Sequence, residues 1–173
     1  MNGILLLIPF ILIRFGLLSR VNKNAVQRAA HFAPLQGKEM IAYWIYQISN
    51  AVIFIYLFFL HASADYSRQF YFGLSCYLAG LILCLISIIN FSLPSGNGLS
   101  TNGIYRFSRN PMYVSYFFCF VGMALLTQSW ILLIFVFVFQ ISAHWIILSE
   151  ERWCIREFGS AYEQYMKKVR RYI

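Results

Sequence analysis

The chain has 173 residues, of which 60% are hydrophobic, 19% aromatic and only 12% charged. A soluble domain of this length is far less apolar, so the composition predicts an integral membrane protein in a lipid bilayer. The formal net charge is +8. The basic residues lie in short segments between apolar runs, where they indicate orientation in the membrane and not binding to nucleic acid.

Five apolar runs predict a single all-α membrane domain that covers residues 1–173. The runs lie at about 3–18, 42–60, 70–91, 111–126 and 130–148. The second, third and fifth are long enough to cross a hydrocarbon core of about 30 Å, whereas the first and fourth are short. Arg14 interrupts the first run, and its side chain is expected to extend to an interface. The sequence contains no strand–GxGxxG–helix unit, which argues against a soluble Rossmann domain.

The distribution of Lys and Arg favours five spans over four. With five spans, the segments 19–41, 92–110 and the tail from 149 share one side, and the opposite loops hold only Arg68. The basic residues on the first side are Arg20, Lys23, Arg28, Lys38, Arg106, Arg109, Arg152, Arg156, Lys167, Lys168, Arg170 and Arg171. This asymmetry predicts that the 92–110 loop and the C-terminus are cytoplasmic.

The polar segment 101–113, which reads TNGIYRFSRNPMY, carries the strongest functional signal. Asn110 followed by Pro111 predicts a helix start, because Asn can accept from the first amides as N-cap and Pro suits the first helical position. The N-terminus of a helix carries partial positive charge, and Arg106 and Arg109 add to it. The segment therefore predicts a site for the anionic part of a ligand.

A second signal is the adjacent pair Glu150 and Glu151 at the end of the last apolar run. The link 127–129 is short, so the last two helices should form an antiparallel hairpin that brings Pro111 beside the pair. Carboxylates near a helix C-terminus indicate a cationic partner, either the loop arginines or a positively charged ligand group. Together the two helix ends predict a pocket with opposite charges on opposite walls, suited to a zwitterionic ligand.

The tail from Glu150 to Ile173 alternates aromatic and charged residues. Gly159 predicts a break between two short helices, and Tyr162 and Tyr165 share a helix face. An amphipathic helix that rests on acidic lipids would explain residues 160–173 equally well. The cysteines, at 76, 84, 119 and 154, have no zinc-ligand spacing, and we expect no metal site.

These features resemble the isoprenylcysteine carboxyl methyltransferases and the related membrane-embedded phospholipid methyltransferases. The resemblance covers about 100–173 and rests on the 101–113 segment, the Glu pair, the FGxxYxxY run at 158–165 and Val169-Arg170-Arg171. It implies methyl transfer from S-adenosylmethionine in a multi-helix membrane fold, with cofactor binding in the half 95–173. The acceptor would be an amphipathic or prenylated molecule that enters from the bilayer.

The resemblance assigns the cofactor-binding turn to residues Gly103, Tyr105, Arg109, Asn110, Pro111, Met112 and Tyr113. The first amides of the fourth helix would receive the methionyl carboxylate, and Glu150 or Glu151 would take the amino group or face the reacting centre. Tyr105 and Tyr113 would stack on adenine or face the sulfonium, since a cation favours an aromatic face.

Two positions depart from the isoprenylcysteine enzymes. Those enzymes usually have His at the position of Asn110, so the turn Asn-Pro-Met-Tyr is more similar to the phospholipid methyltransferase version. Relatives often have Arg one to two turns before the Glu pair, where the nearest basic residue here is His144. His144 is therefore expected to help bind an acidic acceptor, although a helix-packing role would also explain it.

The acceptor chemistry determines which residues are catalytic. A carboxylate acceptor needs no base but needs a cation for orientation, for which Arg109, Arg152 and His144 are candidates. A protonated amine acceptor needs a base, for which Glu151 is the best candidate. We favour a carboxylate acceptor of the isoprenylcysteine type, with a phospholipid amine as the alternative. A sterol-reductase-like NADPH enzyme, with a similar Arg-x-Pro-x-Tyr turn, and a non-catalytic scaffold are further alternatives.

Overall fold

The computed structural model describes residues 1–21, 33–93 and 98–172. Within these ranges every regular secondary-structure element is a helix. The β-type pairings there are two isolated bridges, Asn2–His61 and Ser108–Arg170. Lys23 and Arg28, which entered the charge count, lie outside the described residues. The prediction of an all-α fold without a Rossmann sheet is confirmed.

The main helices in the described ranges follow the apolar runs closely. They are α1 (Gly3–Leu17), α2 (Lys38–Leu57), α3 (Arg68–Ser92), α4 (Pro111–Leu126), α5 (Trp130–Phe158) and α6 (Ser160–Lys168). In this described part, α2, α3 and α5 are long and apolar enough to cross a membrane, while α1 and α4 are shorter apolar helices. Helix α5 continues past the predicted end at 148, so the Glu pair is helical. Gly159, with φ of +54°, ends α5 as predicted.

One end of the bundle joins the start of the chain, the α2–α3 link and the α4–α5 link. The ammonium group of Met1 donates to the Ala62 carbonyl at 3.0 Å, and Gln128 Nε2 donates to Asp65 Oδ2 at 2.7 Å. These links place the ends of α2 and α4 beside the starts of α1, α3 and α5.

The opposite end joins the starts of α2 and α4 to the ends of α3 and α5. Arg152 on α5 forms a bidentate ion pair with Glu39 on α2, with both N–O distances at 2.6 Å. The amide of Ile104 donates to Asn90 Oδ1 at 2.8 Å and holds the loop before α4 against α3. The helices therefore traverse the bundle in alternating directions, as the five-span prediction requires.

Close contact between α3 and α4 depends on two glycines. A Cβ atom at Gly80 would overlap Cys119, and one at Gly122 would overlap the backbone of Tyr77. Small residues allow helix backbones to approach closely in membranes. This contact fixes α4, and with it the loop that precedes α4, against the long helix α3.

Aromatic packing ties the remaining helices to this pair. The rings of Tyr46 on α2 and Phe139 on α5 stack with centroids 4.6 Å apart, and Phe120 on α4 lies 5.3 Å from Phe139. Phe10 on α1 lies 5.2 Å from Phe120. Phe120 and Phe139 are fully buried. Helices α1, α2, α4 and α5 therefore share one core.

Helix α1 is irregular, unlike the single apolar run that the sequence indicates. It begins as a 3-10 helix, Gly3–Leu6, continues as an α-helical turn, Leu7–Ile11, and widens into a π-helix, Leu12–Leu17. The π-helical segment contains Arg14. Segments of π-helix are rare and often occur at functional sites.

Candidate functional site

A cavity of about 540 Å³ lies at the end of the bundle that holds the Asn-Pro turn. All six helices or their flanking loops contribute to its walls. The lining residues are Arg14, Ala33, Tyr46, Phe91, Gly98, Leu99, Ser100, Tyr105, Arg109, Asn110, Met112, Tyr113, Tyr116, Glu150, Glu151, Trp153, Cys154, Phe158, Tyr162 and Tyr165. The cavity is thus lined mainly by aromatic and other apolar residues, with a few charged groups, which is the usual character of a small-molecule site.

The predicted helix start at Asn110-Pro111 is correct, but its capping interaction is not. Pro111 is the first residue of α4 and Asn110 is the N-cap residue, with no side-chain hydrogen bond to the helix. Instead, Asn110 Nδ2 donates to the Arg171 carbonyl at 3.2 Å, because the tail returns across the turn. The side chain of Asn110 therefore leaves the first amides of α4 without a side-chain acceptor.

Glu151 is held in a buried ion network. Its Oε1 accepts from Arg109 Nη2 at 2.7 Å and its Oε2 from Arg171 Nη2 at 2.8 Å. Arg109 also donates from Nη1 to the Val169 and Met166 carbonyls. The hydrogen bonds from Arg171 to Glu151 raise the pKa of the Arg171 guanidinium. The network joins the Asn-Pro turn, α5 and the tail, and it fully engages the Glu151 carboxylate.

Only one of the two loop arginines acts as a partner for the Glu pair. Arg109 contacts Glu151, whereas Arg106 is exposed and forms no salt bridge among the residues that the structure describes. The expectation that the loop arginines neutralise the pair therefore holds for Arg109 and Glu151.

Glu150 faces the cavity in a different way from its neighbour. Adjacent residues on an α-helix point about 100° apart, so Glu150 and Glu151 meet different partners although both line the cavity. Tyr113 Oη donates to Glu150 Oε1 at 2.9 Å. No described cation lies within salt-bridge distance of Glu150. Glu150 therefore forms the negative wall of the cavity.

The positive wall is Arg14, which the sequence analysis had not assigned to the site. Its Nη1 lies 3.9 Å from Met112 Sδ, and its Cζ lies 5.4 Å from the ring centroid of Tyr116. Tyr46 and Tyr116 are further lining residues that the sequence analysis missed. An Arg within an apolar run is by itself a sign of a functional site, and this signal could have identified Arg14.

Gly103 positions the loop and does not line the cavity. Its φ is +53°, and a Cβ atom there would overlap Asn90 Oδ1. The next turn of the chain buries Tyr105, whose carbonyl accepts from Tyr165 Oη at 2.6 Å. Burial raises the pKa of Tyr105, so its phenol stays neutral. Tyr105, but not Gly103, is therefore available to a ligand.

Two other predicted cations lie outside the cavity wall. His144 Nδ1 is 2.7 Å from Tyr172 Oη, and Arg152 is paired with Glu39. Neither His144 nor Arg152 lines the cavity, and the same is true of Pro111. Arg109 lines the cavity, but its guanidinium already forms a salt bridge with Glu151.

The tail does more than rest on lipid. Tyr162 and Tyr165 on α6 share a face, with ring centroids 5.8 Å apart, and both are buried against the cavity. They form a small core with Leu99 and Val169. A purely interfacial helix would leave these rings at the lipid surface, so α6 is part of the bundle.

These features define a small helical membrane protein. At one end of its bundle is an aromatic-rich cavity with a basic and an acidic side chain in its walls. Residues 69–161 match the phospholipid methyltransferase family, which is more than half of the chain. The chain belongs to this family, and the resemblance drawn from the sequence is confirmed. The matched segment contains Arg109, Tyr113 and both carboxylates, whereas Arg14 and Tyr46 lie outside it.

A relative with a more specific name also matches part of the chain. The chain is 38% identical over 72 residues to protein-S-isoprenylcysteine O-methyltransferase from Schizosaccharomyces pombe. This match covers 41% of the chain and 30% of that protein. No solved structure matches the chain.

Proposed function

We propose that this protein is an integral-membrane methyltransferase that uses S-adenosylmethionine and acts on an amphipathic acceptor. The observation that carries the proposal is Glu150, hydrogen-bonded to Tyr113 and free of any described cation, in an aromatic cavity at the start of α4. Family membership supports methyl transfer as the reaction class.

The residues present fit the proposed methyl donor. Its ammonium group suits the Glu150 carboxylate, and its carboxylate suits the first amides of α4, which Asn110 does not cap. Its adenine and sulfonium suit the ring faces of Tyr105 and Tyr113. The volume of about 540 Å³ lies in the range of about 300–1,000 Å³ that is usual for ligand pockets. When bound, this group supplies an electrophilic methyl group.

The protein's contribution is to position groups and to exclude water. Tyr113 orients the Glu150 carboxylate, and the ion network around Glu151 fixes the turn that carries Arg109 and Asn110. Displacement requires donor and acceptor atoms in line, about 3–3.5 Å apart. The geometry favours Glu150 as the carboxylate that contacts ligand, with Glu151 as a positioning residue, although the sequence had favoured Glu151 as the base.

For the acceptor, we favour a carboxylate on a prenylated or similarly amphipathic molecule. The name of the fission yeast relative supports this class. A carboxylate is ionised at neutral pH and requires no base. A phospholipid amine is the second candidate, supported by the family's name and by the Asn-Pro-Met-Tyr turn. The charge asymmetry of the loops supports a cytoplasmic site.

Titration of the purified protein in lipid nanodiscs distinguishes these functions from their rivals. We expect saturable calorimetric binding of S-adenosylhomocysteine and none of NADPH. Radiolabelled donor should then transfer its methyl group to N-acetyl-S-farnesylcysteine, and transfer to phosphatidylethanolamine instead would select the second candidate. Binding of NADPH alone would favour a reductase, and binding of neither ligand would favour a scaffold. Either result would contradict the proposal.

A further inference from the structure

Arg14 is a cation whose hydrogen-bonding capacity is almost unused. A guanidinium has five N–H donors, and a thioether sulfur is only a weak acceptor. The polar contact of Arg14 within the described chain is Met112 Sδ at 3.9 Å. The rings of Phe15 and Tyr116 lie 5.7 Å and 5.4 Å from its Cζ. These rings accommodate a cation but do not accept its hydrogen bonds in the manner of an oxygen anion.

The chain's own acids do not neutralise Arg14. The chain has six acidic side chains, and all of them fall within the described ranges: Glu39, Asp65, Glu150, Glu151, Glu157 and Glu163. Glu39 and Glu151 are paired with other arginines, and Asp65 lies at the opposite end of the bundle. Glu150 shares the cavity with Arg14 but forms no salt bridge with it. The two opposite charges therefore face the same space without pairing.

An unpaired guanidinium among apolar groups is costly, and arginines within membrane segments usually face a cavity or a substrate path. The π-helical segment of α1 places Arg14 at the cavity wall beside α4. His144, the residue expected from sequence to bind an acidic group, is engaged with Tyr172 outside the cavity. Arg14 is thus the best-placed cation for an anionic ligand group.

We propose that Arg14 binds a carboxylate of a ligand in the cavity. A guanidinium fork matches a carboxylate with two parallel hydrogen bonds, a geometry that lysine cannot reproduce. The inference rests on the proposed function, which provides two sources of this carboxylate. One is the methionyl end of the donor, and the other is the acidic acceptor.

The test compares Arg14→Met and Arg14→Lys with Arg20→Met as the matched control. Arg20 is an exposed arginine that follows α1 in the chain and does not line the cavity. Calorimetry in nanodiscs measures the affinity of each variant for S-adenosylhomocysteine, N-acetyl-S-farnesylcysteine and the carboxamide of the latter. Thermal melting without ligand is measured in parallel.

We expect Arg14→Met to weaken binding of one carboxylate probe by about 10- to 100-fold, the range for hydrogen bonds between charged groups. The affinity of Arg14→Lys should lie between those of Arg14→Met and the wild type, and Arg20→Met should match the wild type. Loss for the farnesylcysteine acid but not for its amide identifies the acceptor as the source. Loss for S-adenosylhomocysteine identifies the donor. Because Arg14 has no anionic partner, Arg14→Met should melt no lower than the wild type without ligand.

Unchanged affinity of Arg14→Met for both carboxylate probes would overturn the inference, as would a markedly lower melting temperature in the absence of ligand. The result is distinguishable from failure of the proposed function, because in that case the wild type itself would not bind S-adenosylhomocysteine.

Discussion

The two ends of the helical bundle differ in how their charged groups are satisfied. At the end without the cavity, Asp65 accepts hydrogen bonds from Ser67 and Gln128. At the cavity end, Glu150 and Arg14 line one space without an ionic partner among the described residues. Charged groups that a membrane fold leaves unpaired indicate a ligand site. The difference supports our proposal that the ligand site lies at the cavity end.

The cavity end itself contains two acidic side chains in different environments. Glu151 is 4% exposed and forms salt bridges with two arginines, whereas the carboxylate of Glu150 is hydrogen-bonded only to a tyrosine hydroxyl among the described side chains. The first arrangement stabilises the turn, and we propose that the second leaves a carboxylate available to a ligand. The following predictions test this division, beginning with the largest expected effect.

Arg109→Ala should have the largest effect on stability. It leaves the Val169 and Met166 carbonyls without their guanidinium donor and Glu151 with one partner instead of two. Breaking a buried ion pair costs about 3–5 kcal/mol. The free energy of unfolding can be measured by titration with dodecyl sulfate. The exposed Arg106→Ala is the control and should change little, and equal stability of the two variants would contradict the network.

The adjacent carboxylates should respond differently to the same substitution. Glu151→Gln should lower the free energy of unfolding by about 3 kcal/mol, because it breaks buried pairs. Glu150→Gln should leave stability nearly unchanged but weaken S-adenosylhomocysteine binding by about 10- to 100-fold. Calorimetry and unfolding are measured on both variants, with the exposed Glu157→Gln as control. Equal changes in stability and in affinity for the two variants would contradict the different roles given to Glu150 and Glu151.

Gly103→Ala should destabilise the loop before α4 by about 1–3 kcal/mol, because its positive φ and the contact with Asn90 both exclude a side chain. Gly16→Ala provides the matched control, since a Cβ atom there meets nothing within 4 Å. Unfolding titrations of the two variants check the difference. A Gly103→Ala protein as stable as the control would show that the loop does not need this close approach.

Tyr113→Phe should have the smallest effect. It removes one neutral donor to Glu150, for which about 1 kcal/mol, or roughly fivefold in affinity, is typical. S-adenosylhomocysteine titration measures this change, and Tyr66→Phe, at the opposite end, should bind as the wild type does. A loss as large as that of Glu150→Gln would mean that Tyr113 itself holds the ligand.

Much of this architecture could be predicted from sequence, because apolar length and short links govern helical membrane folds. The helix start at Pro111, the hairpin of α4 and α5 and the helix break at Gly159 all follow from local residue preferences. The expected cap at Asn110 was wrong because its side-chain amide is oriented toward a distant segment, where Nδ2 donates to the Arg171 carbonyl of the tail.

The individual roles of the charged residues could not be predicted in the same way. Which of Glu150 and Glu151 is paired with arginines and which is left unpaired in the cavity depends on the rotation of α5, which tertiary packing sets. The participation of Arg14 depends on contact with Met112, 98 residues further along the chain. Hydropathy identified Arg14 as an interruption in a span but contained no information about what it would face.

Hydrogen–deuterium exchange with and without S-adenosylhomocysteine tests the location of the site most directly. The account predicts slower exchange in peptides from 101–113 and 150–166, since these segments surround the cavity. Peptides from 58–67 and 127–130, at the opposite end, should exchange at the same rate in both conditions. Protection confined to the opposite end, or no protection at saturating ligand, would contradict the central claim.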